Sequence, residues 1–476
     1  MRKFFSCLLI AALALSSLAV FAACGKKSVR TSYTVRAEYF PEERLICADM
    51  EVTVPNQGEN VFESLCFELY ANAYREGAKY KPVSPLYEAA AYYDGESYGG
   101  TEITALSGGE YEVTGEDENI LSVRLPEPLY PGESATVTMS FEVTLAKVNH
   151  RLGVGENTVI LSCFYPVLCA TGEGGFLQYV YSSCGDPFVS ECADYDVTLT
   201  VPEELTAVCA GRVEEIAENG KCAYHVISEN VRDVAFVLGS FRCVSASASV
   251  PVEYYYLTDG SPERTLRIAK ESLGYYSRTF GNYAYPRYVV VEADFPYGGM
   301  EYSGLSLIST SITEGDRAAV VAHETAHQWW YAMVGSNQFE NAWQDEGLAE
   351  YSAALFLGAY PEYGSSYREA VDASERAYRA YFSVRSQISG EADTSMSRPL
   401  TSFSGEYEYR SIAYDKGVVL FDRLRETLGD RKFFGALKTY AARYGGKLAS
   451  PEDLISCFGG SAEKLFESFL RGLCVI

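Results

Sequence analysis

Basic residues are scarce in this chain: 39 lysines and arginines stand against 64 aspartates and glutamates, which gives a formal net charge of −25. Such a surface repels the phosphates of a polynucleotide, which proteins hold mainly through lysine and arginine. The sequence therefore predicts that nucleic acid is not a partner. The acidity otherwise indicates solubility and does not point to one function.

Long apolar runs are nearly absent, since the sequence contains a single one, at residues 4–23. Arg2 and Lys3 precede it, as in a signal peptide over residues 1–23, although a run of about 20 residues could also anchor a chain in a membrane. Its end, FAACG at residues 21–25, resembles the lipobox of bacterial lipoproteins, with Phe21 where leucine is usual. The resemblance implies lipidation of Cys24, a tether at 24–30, and an exported protein held at the outer face of the cell membrane. The remainder is expected to be soluble.

Pairs of cysteines in a CxxC arrangement are also absent, although the chain has 13 cysteines. Setting Cys7 and Cys24 aside leaves an odd number, and eight of these lie in the middle of the chain: Cys66, Cys163, Cys169, Cys184, Cys192, Cys209, Cys222 and Cys243. In an exported protein some of them could form disulfides. They could equally be small buried hydrophobic residues. The sequence leaves both interpretations open.

The chain divides into two parts with different secondary-structure patterns in the sequence. Residues 31–247 are rich in strand patterns, such as ATVTMSFEVTL at 135–145, where apolar and polar residues alternate with period two. Residues 248–476 change to helical patterns that end at glycine, such as YDKGVVLFDRLRETLG. We predict a multidomain α+β protein: a β-rich domain, built as a sandwich or large curved sheet, followed by a mostly helical domain. The oligomeric state is not predicted.

The stretch VVAHETAHQWWYAMVG at 320–335 contains two of only four histidines. In a helix His323 and His327 share one face, while Glu324 is offset by about 100° and could reach a water molecule held between them. This is the HExxH arrangement of two zinc ligands and a general base. Glu346, in a second helix after a reversal at Gly335, supplies a third ligand and leaves a fourth position open for water. The competing interpretation is a core helix with satisfied histidines.

The order of motifs resembles the aminopeptidase N family, the gluzincin zinc metallopeptidases of peptidase family M-one. The chain has HExxH, eighteen intervening residues and a glutamate, preceded by GGMEYSG at 298–304 and followed by YRSIAYDKG at 409–417. The resemblance implies a saddle-shaped β domain, a thermolysin-like catalytic domain, peptide substrates and one Zn²⁺ held by His323, His327 and Glu346. It also implies that Glu324 is the general base and that Tyr414 stabilises the oxyanion. The implied substrate-binding residues are Gly298, Gly299, Met300, Glu301 and Tyr302.

Several features depart from the family pattern or stay open. Tyr302 stands where the family usually has asparagine, and the polar motif that gives a second amine ligand is not found. The family's further C-terminal domains are expected to be missing, which would leave an open cleft. Two alternatives therefore remain: a thermolysin-like endopeptidase, or a catalytically silent surface binding lipoprotein. Glu350 could orient a ligand histidine or be a solvated carboxylate, and Tyr409 could assist Tyr414.

Overall fold

The computed structural model describes residues 30–390 and 392–472. The predicted signal peptide, Cys24 and all of the tether except Arg30 lie outside the described residues. Across the described residues, no helix is both long and apolar enough to span a bilayer.

The first half is built almost entirely of strands, as its alternating pattern predicts. Within its described residues it contains one short α-helix, α1 (Glu88–Ala91), and one 3₁₀ helix, Tyr70–Tyr74. Its strands are β1 (Ser32–Phe40), β2 (Leu45–Pro55), β3 (Phe62–Glu68), β4 (Gly100–Ser107), β5 (Glu110–Thr114), β6 (Ile120–Leu129), β7 (Ser134–Thr144), β8 (Leu152–Val154), β9 (Thr158–Leu161), β10 (Val167–Leu168), β11 (Thr171–Gly172), β12 (Gly175–Phe176), β13 (Ala193–Pro202), β14 (Thr206–Val208), β15 (Arg212–Glu218), β16 (Lys221–Val231), β17 (Phe236–Gly239) and β18 (Arg242–Ser247).

A seven-stranded sheet in the order β15-β16-β13-β1-β2-β7-β4 dominates this region. The alternation read at residues 135–145 is confirmed, because Val137, Met139, Phe141 and Val143 of β7 are buried while their neighbours are more accessible. The buried face packs against two four-stranded sheets, β10-β3-β6-β5 and β14-β17-β9-β8. One wet face and one apolar face are what period-two strands require.

The second half is mostly helical. Its strands are β19 (Pro251–Tyr256), β20 (Tyr288–Ala293), β21 (Gly299–Tyr302), β22 (Leu305–Ser309), β23 (Val334–Gly335) and β24 (Lys447–Leu448). Its helices are α2 (Pro262–Phe280), α3 (Arg317–Ala326), α4 (Gln338–Asn341), α5 (Trp343–Ala359), α6 (Tyr367–Ser389), α7 (Glu406–Tyr409), α8 (Lys416–Leu428), α9 (Asp430–Tyr444), α10 (Pro451–Phe458) and α11 (Gly460–Leu470). The predicted α+β class, with a β-rich first part and a helical second part, is confirmed.

A sheet in the order β18-β19-β20-β22-β21 lies between the two cores. Val289 and Val291 of β20 belong to the core of the first half, whereas Tyr288 and Val290 belong to the helical core. The predicted domain boundary at 247/248 falls between β18 and β19, which pair with each other, and it stays a prediction. The two halves therefore share a sheet.

The helix that carries His323 ends earlier than Gly335, where the sequence predicts the reversal between the two helices. It runs from Arg317 to Ala326 and continues as a π turn at Gln328–Met333, in which Trp330 and Tyr331 have non-helical backbone angles. Gly335 lies in β23, where an added Cβ would be 2.1 Å from Cζ of Arg232. This arginine is buried, and its guanidinium donates to the carbonyl oxygens of Ser190, Tyr331 and Lys447. Arg232 therefore links the β-rich half to the backbone that follows the histidines.

The cysteines behave as small core residues. No disulfide joins any two of the ten cysteines within the described ranges, and seven of these ten are buried. Of the two interpretations, the structure favours buried hydrophobic residues over a disulfide framework.

Candidate metal centre and substrate cleft

Three predicted metal ligands meet at one point. His323 lies near the C-terminal end of α3, His327 directly follows that helix, and Glu346 is in the first turns of α5. The Nε2 atoms of the two histidines are 3.0 Å apart. Oε2 of Glu346 lies 3.2 Å from Nε2 of His323 and 3.4 Å from Nε2 of His327. All three side chains are buried. The structure thus brings together the residues that the sequence placed on two separate helices.

Two further carboxylates orient the imidazoles. Glu350 lies 2.8 Å from Nδ1 of His323, and Asp345 lies 2.7 Å from Nδ1 of His327. With each Nδ1 proton donated to a carboxylate, each Nε2 carries a lone pair directed at the common centre. The orienting role considered for Glu350 is consistent with this contact. The sequence did not lead to a prediction for Asp345, although this residue directly precedes the predicted ligand Glu346.

The donor atoms fit a divalent cation. Oε2 of Glu346 is buried and accepts no hydrogen bond within the described structure, although it faces both Nε2 atoms. Two lone pairs and a carboxylate oxygen repel one another unless positive charge lies between them. Burial lowers the pKa of His323, but the contacts with Glu346 and Glu350 outweigh it and raise that pKa to about 10. Carboxylates that hold a proton here so strongly would also favour a metal ion in its place.

The predicted base lies beside this centre, against the glycine-rich strand. Glu324 is buried, its Oε2 has no hydrogen-bond partner in the described structure, and burial raises its pKa to about 7. A Cβ added to Gly299 of β21 would lie 2.5 Å from Oε1 of Glu324, so glycine is needed there. An added Cβ at Gly298 would meet only Val320, at an ordinary 3.5 Å. Of the two predicted glycines, only Gly299 is sterically required.

Strand β21 divides the other predicted substrate residues between its two faces. The side chain of Glu301 lies on the side of the metal centre, since one of its carboxylate oxygens is within 4.8 Å of a ligand atom of His327 and of Glu324. Burial raises the pKa of Glu301 well above its ordinary value, with a further contribution from Asp186 and Glu346. Met300 and Tyr302 alternate with Glu301 and are buried in the core of the β-rich half. Their predicted contact with substrate stays a prediction that this burial does not favour.

Two tyrosines cover the other side of the centre. Tyr409 is the last residue of α7, and Tyr414 lies within the π turn at Arg410–Asp415 that follows it. The ring of Tyr414 stacks on the imidazole of His323, with centroids 5.6 Å apart and planes at 6°. The hydroxyl of Tyr409 donates to Oε1 of Glu346 over 3.3 Å. Burial and the Glu346 carboxylate raise the pKa of Tyr414 well above its ordinary value, which keeps its hydroxyl protonated as a donor.

The β-rich half contributes a buried ion pair that the sequence did not reveal. Arg151 pairs with Asp186, and Nε of Arg151 lies 3.2 Å from Sδ of Met300. Gly185 fits against Tyr409, since an added Cβ would lie 2.8 Å from its hydroxyl oxygen. Arg151, Gly185 and Asp186 are more than 100 positions from His323 and His327, so no local sequence pattern connects them to the metal centre. The cleft is therefore lined by both halves of the chain.

Comparison with known proteins agrees with this geometry. Residues 264–472 match the model of the peptidase family M1 domain. This part of the chain is similar to the peptidase family M1 domain. The predicted resemblance to the aminopeptidase N family is confirmed, and the predicted peptide-hydrolase class and single zinc site agree with that similarity.

Curated relatives match this chain over part of their own length. Leukotriene A-4 hydrolase of Xenopus laevis is 26% identical over 315 residues, which cover 59% of this chain and 49% of the relative. Aminopeptidase M1-B of Oryza sativa subsp. japonica is 28% identical over 284 residues, which cover 55% of this chain and 32% of the relative. The chain thus spans half or less of the length of these two relatives.

Solved M1 structures match the whole fold. An M1 zinc metallopeptidase from Deinococcus radiodurans has a TM-score of 0.65 at 20% identity and covers 96% of this chain and 97% of its own. A point mutant of an M1 zinc metallopeptidase from the same organism, bound to a Tyr-Ser-Ala substrate, has a TM-score of 0.64 at 19% identity and covers 94% and 96%, respectively. This likeness confirms the predicted two-part architecture.

The carboxylate that orients His327 provides a test of the metal centre. We expect Asp345→Asn to weaken zinc affinity by about 10- to 100-fold, because the amide no longer accepts the Nδ1 proton as a charged partner. Competition with a zinc-binding dye measures this affinity. Asp430→Asn, on an exposed carboxylate of α9, is the matched control. Equal affinity of the Asp345 variant and the unchanged protein would contradict the orienting role.

Proposed function

We propose that this chain is a zinc-dependent aminopeptidase that removes N-terminal residues from peptides. The observation that supports it most is a buried, unpartnered carboxylate oxygen on Glu301 beside a three-ligand metal centre. Two imidazoles and one carboxylate are the ligands of catalytic rather than structural zinc sites. The similarity of residues 264–472 to the M1 domain and the substrate-bound neighbour support the same class.

The metal would be held by Nε2 of His323, Nε2 of His327 and Oε2 of Glu346. When bound, zinc supplies Lewis acidity next to the peptide carbonyl group. Glu324 takes the proton of the attacking water molecule and later passes it to the leaving amine. Its unpartnered Oε2 and its pKa near 7 suit a group that must accept and return a proton near neutral pH.

Tyr414 donates a hydrogen bond to the carbonyl oxygen as negative charge develops on it. The stacking of its ring on His323 holds Tyr414 beside the metal centre. Tyr409 is a positioning residue in this scheme, because its hydroxyl binds Oε1 of Glu346 and leaves Oε2 directed at the metal.

Glu301 accepts hydrogen bonds from the free α-ammonium group of the substrate. Burial raises the pKa of this carboxyl group, and the neighbouring carboxylates of Asp186 and Glu346 raise it further, so an incoming ammonium removes an electrostatic cost. A peptide without a free amine would leave the carboxylate unpaired and bring its own carbonyl oxygen close to it. This difference selects chain ends over internal bonds.

Blocking the amine separates an aminopeptidase from a thermolysin-like endopeptidase. We expect N-acetylation of an aminoacyl-coumarin substrate to lower kcat/KM by about 100-fold or more, since a buried charge then loses its partner. Glu301→Gln should remove most of that difference by weakening hydrolysis of the free-amine substrate. Equal hydrolysis of acetylated and free substrates would overturn the aminopeptidase assignment and favour the endopeptidase.

Removing the base distinguishes an enzyme from a silent binding protein. We expect Glu324→Gln to lower kcat/KM by about 10²- to 10⁴-fold while zinc content is unchanged, because the amide cannot accept the proton. Hydrolysis and zinc content are measured on the same preparation, and Glu452→Gln, a change on α10 away from the cleft, is the control. Activity that survives in the Glu324 variant contradicts the assigned base.

We also propose that the protein is exported and anchored to the outer face of the membrane through lipidated Cys24. This proposal is based on the sequence alone: the charged start, the apolar run at 4–23 and the lipobox-like end. We expect mass spectrometry of the mature N-terminal peptide to find a diacylglyceryl group on Cys24. A mature chain that begins elsewhere would exclude the anchor.

A further inference from the structure

Gln338 forms a hydrogen bond with the carboxylate that orients a metal ligand. Oδ1 of Asp345 lies 2.7 Å from Nδ1 of His327, and Nε2 of Gln338 donates to the other oxygen, Oδ2. Only 1% of the Asp345 side chain is exposed, and no other described residue donates to Oδ2. The contact with Gln338 therefore fixes the plane in which the carboxylate meets the imidazole.

Packing alone gives no reason for an amide at this position. Gln338 is 3% exposed, and its Oε1 is buried without a hydrogen-bond partner in the described part of the chain. An unpaired amide oxygen in the interior is unfavourable, and a hydrocarbon side chain of similar length, such as methionine, would avoid it. The benefit of the amide must then come from its nitrogen, which faces Asp345.

The short helix that carries Gln338 is held by the β-rich half on both sides of this residue. Asn337 caps α4, since its Oδ1 accepts from the backbone nitrogen of Glu340 over 3.2 Å, and its Nδ2 donates to the hydroxyl of Tyr179 over 2.7 Å. The ring of Phe339 stacks on the same tyrosine, with centroids 4.3 Å apart and planes at 20°. Both neighbours of Gln338 in the chain therefore contact Tyr179.

Tyr179 is in turn fixed within the β-rich half. Its backbone nitrogen donates to Oε1 of Glu68, the last residue of β3, over 3.0 Å. The side chain of Asn119 donates both to Oε2 of Glu68, over 3.2 Å, and to the carbonyl oxygen of Tyr179, over 2.8 Å. Glu68 and Asn119 are buried. Direct contacts thus lead from β3 through Tyr179, α4 and Asp345 to the imidazole of His327.

We propose that Gln338 is a positioning residue of the metal centre. It holds Asp345 so that Nε2 of His327 is directed at the common centre, and Tyr179 holds the helix of Gln338 in place. The β-rich half then contributes to metal binding as well as to the lining of the cleft. This role concerns the retention of zinc and does not depend on which peptide bonds the enzyme cleaves.

Zinc affinity of the apoprotein, measured by competition with a zinc-binding dye, tests this role without reference to activity. We expect Gln338→Met to lower the affinity about tenfold, because Asp345 loses the donor that fixes it. In the Asp345→Asn background the same change should cost less than about twofold further, since its effect passes through Asp345. Tyr179→Ala should also weaken zinc binding, and it should have no further effect once Gln338 is changed.

Gln344→Met is the matched control for a structural effect. Gln344 lies in α5, is buried and has an unpartnered Oε1, as Gln338 does. Its Nε2, however, donates to the hydroxyl of Tyr440 over 2.7 Å and to the carbonyl oxygens of Ala449 and Ser450, both over 3.1 Å. We expect this change to lower the melting temperature of the apoprotein and to leave zinc affinity unchanged.

Unchanged zinc affinity in a folded Gln338→Met protein overturns the positioning role. An equal loss of affinity in Gln344→Met overturns it too, because such a loss indicates a general effect of destabilising α5. Full additivity of Gln338→Met and Asp345→Asn would show that Gln338 does not act through Asp345. If Gln338→Met does not fold, Tyr179→Ala decides: unchanged affinity overturns the role, and a loss that disappears in Asp345→Asn supports it.

Discussion

Two imidazole nitrogens 3.0 Å apart, facing the oxygen of a buried carboxylate, are the constraint on which this molecule depends. Around them lie further buried carboxylates, of which Asp345 and Glu350 bind the outer nitrogens of the same rings. Burying so many negative groups together is costly unless cations compensate them. A divalent metal at the centre satisfies this requirement, and the helices α3 and α5 must then remain packed at one fixed separation.

Close helix packing keeps the tyrosines in place relative to the metal centre. Gly347, directly after the ligand Glu346, meets Gly417 of α8, where an added Cβ would lie 2.6 Å from the Cα of Gly347. This approach brings the start of α8, and the π turn that ends at Asp415, against the helix that carries Glu346. Tyr414 and Tyr409 therefore owe their positions to a backbone contact between two glycines as much as to their own side chains.

The sequence predicted the parts of the site that follow from local geometry. His323, Glu324 and His327 lie within about one helical turn. Glu346 was predicted because an HExxH zinc site requires a third protein ligand from a nearby helix. Asp186 and Arg151 could not be predicted in the same way, because only the packing of the two halves brings them to the cleft. The end of α3 was also misplaced: the pattern continues to Gly335, but Arg232 holds the backbone at Tyr331 in a non-helical turn.

The carboxylates of the cleft fall into two groups that differ in their partners. Glu408, Glu350 and Asp345 are each bound by donors from the chain itself, and Glu350 and Asp345 contact the two ligand histidines. Glu301 and Glu406 lack such donors among the described residues, although the cleft buries one fully and the other in part. A folded chain keeps such groups at an electrostatic cost, which a ligand can remove. Under the proposed function, the unpartnered oxygen of Glu301 marks where the substrate carries positive charge, beside the metal centre.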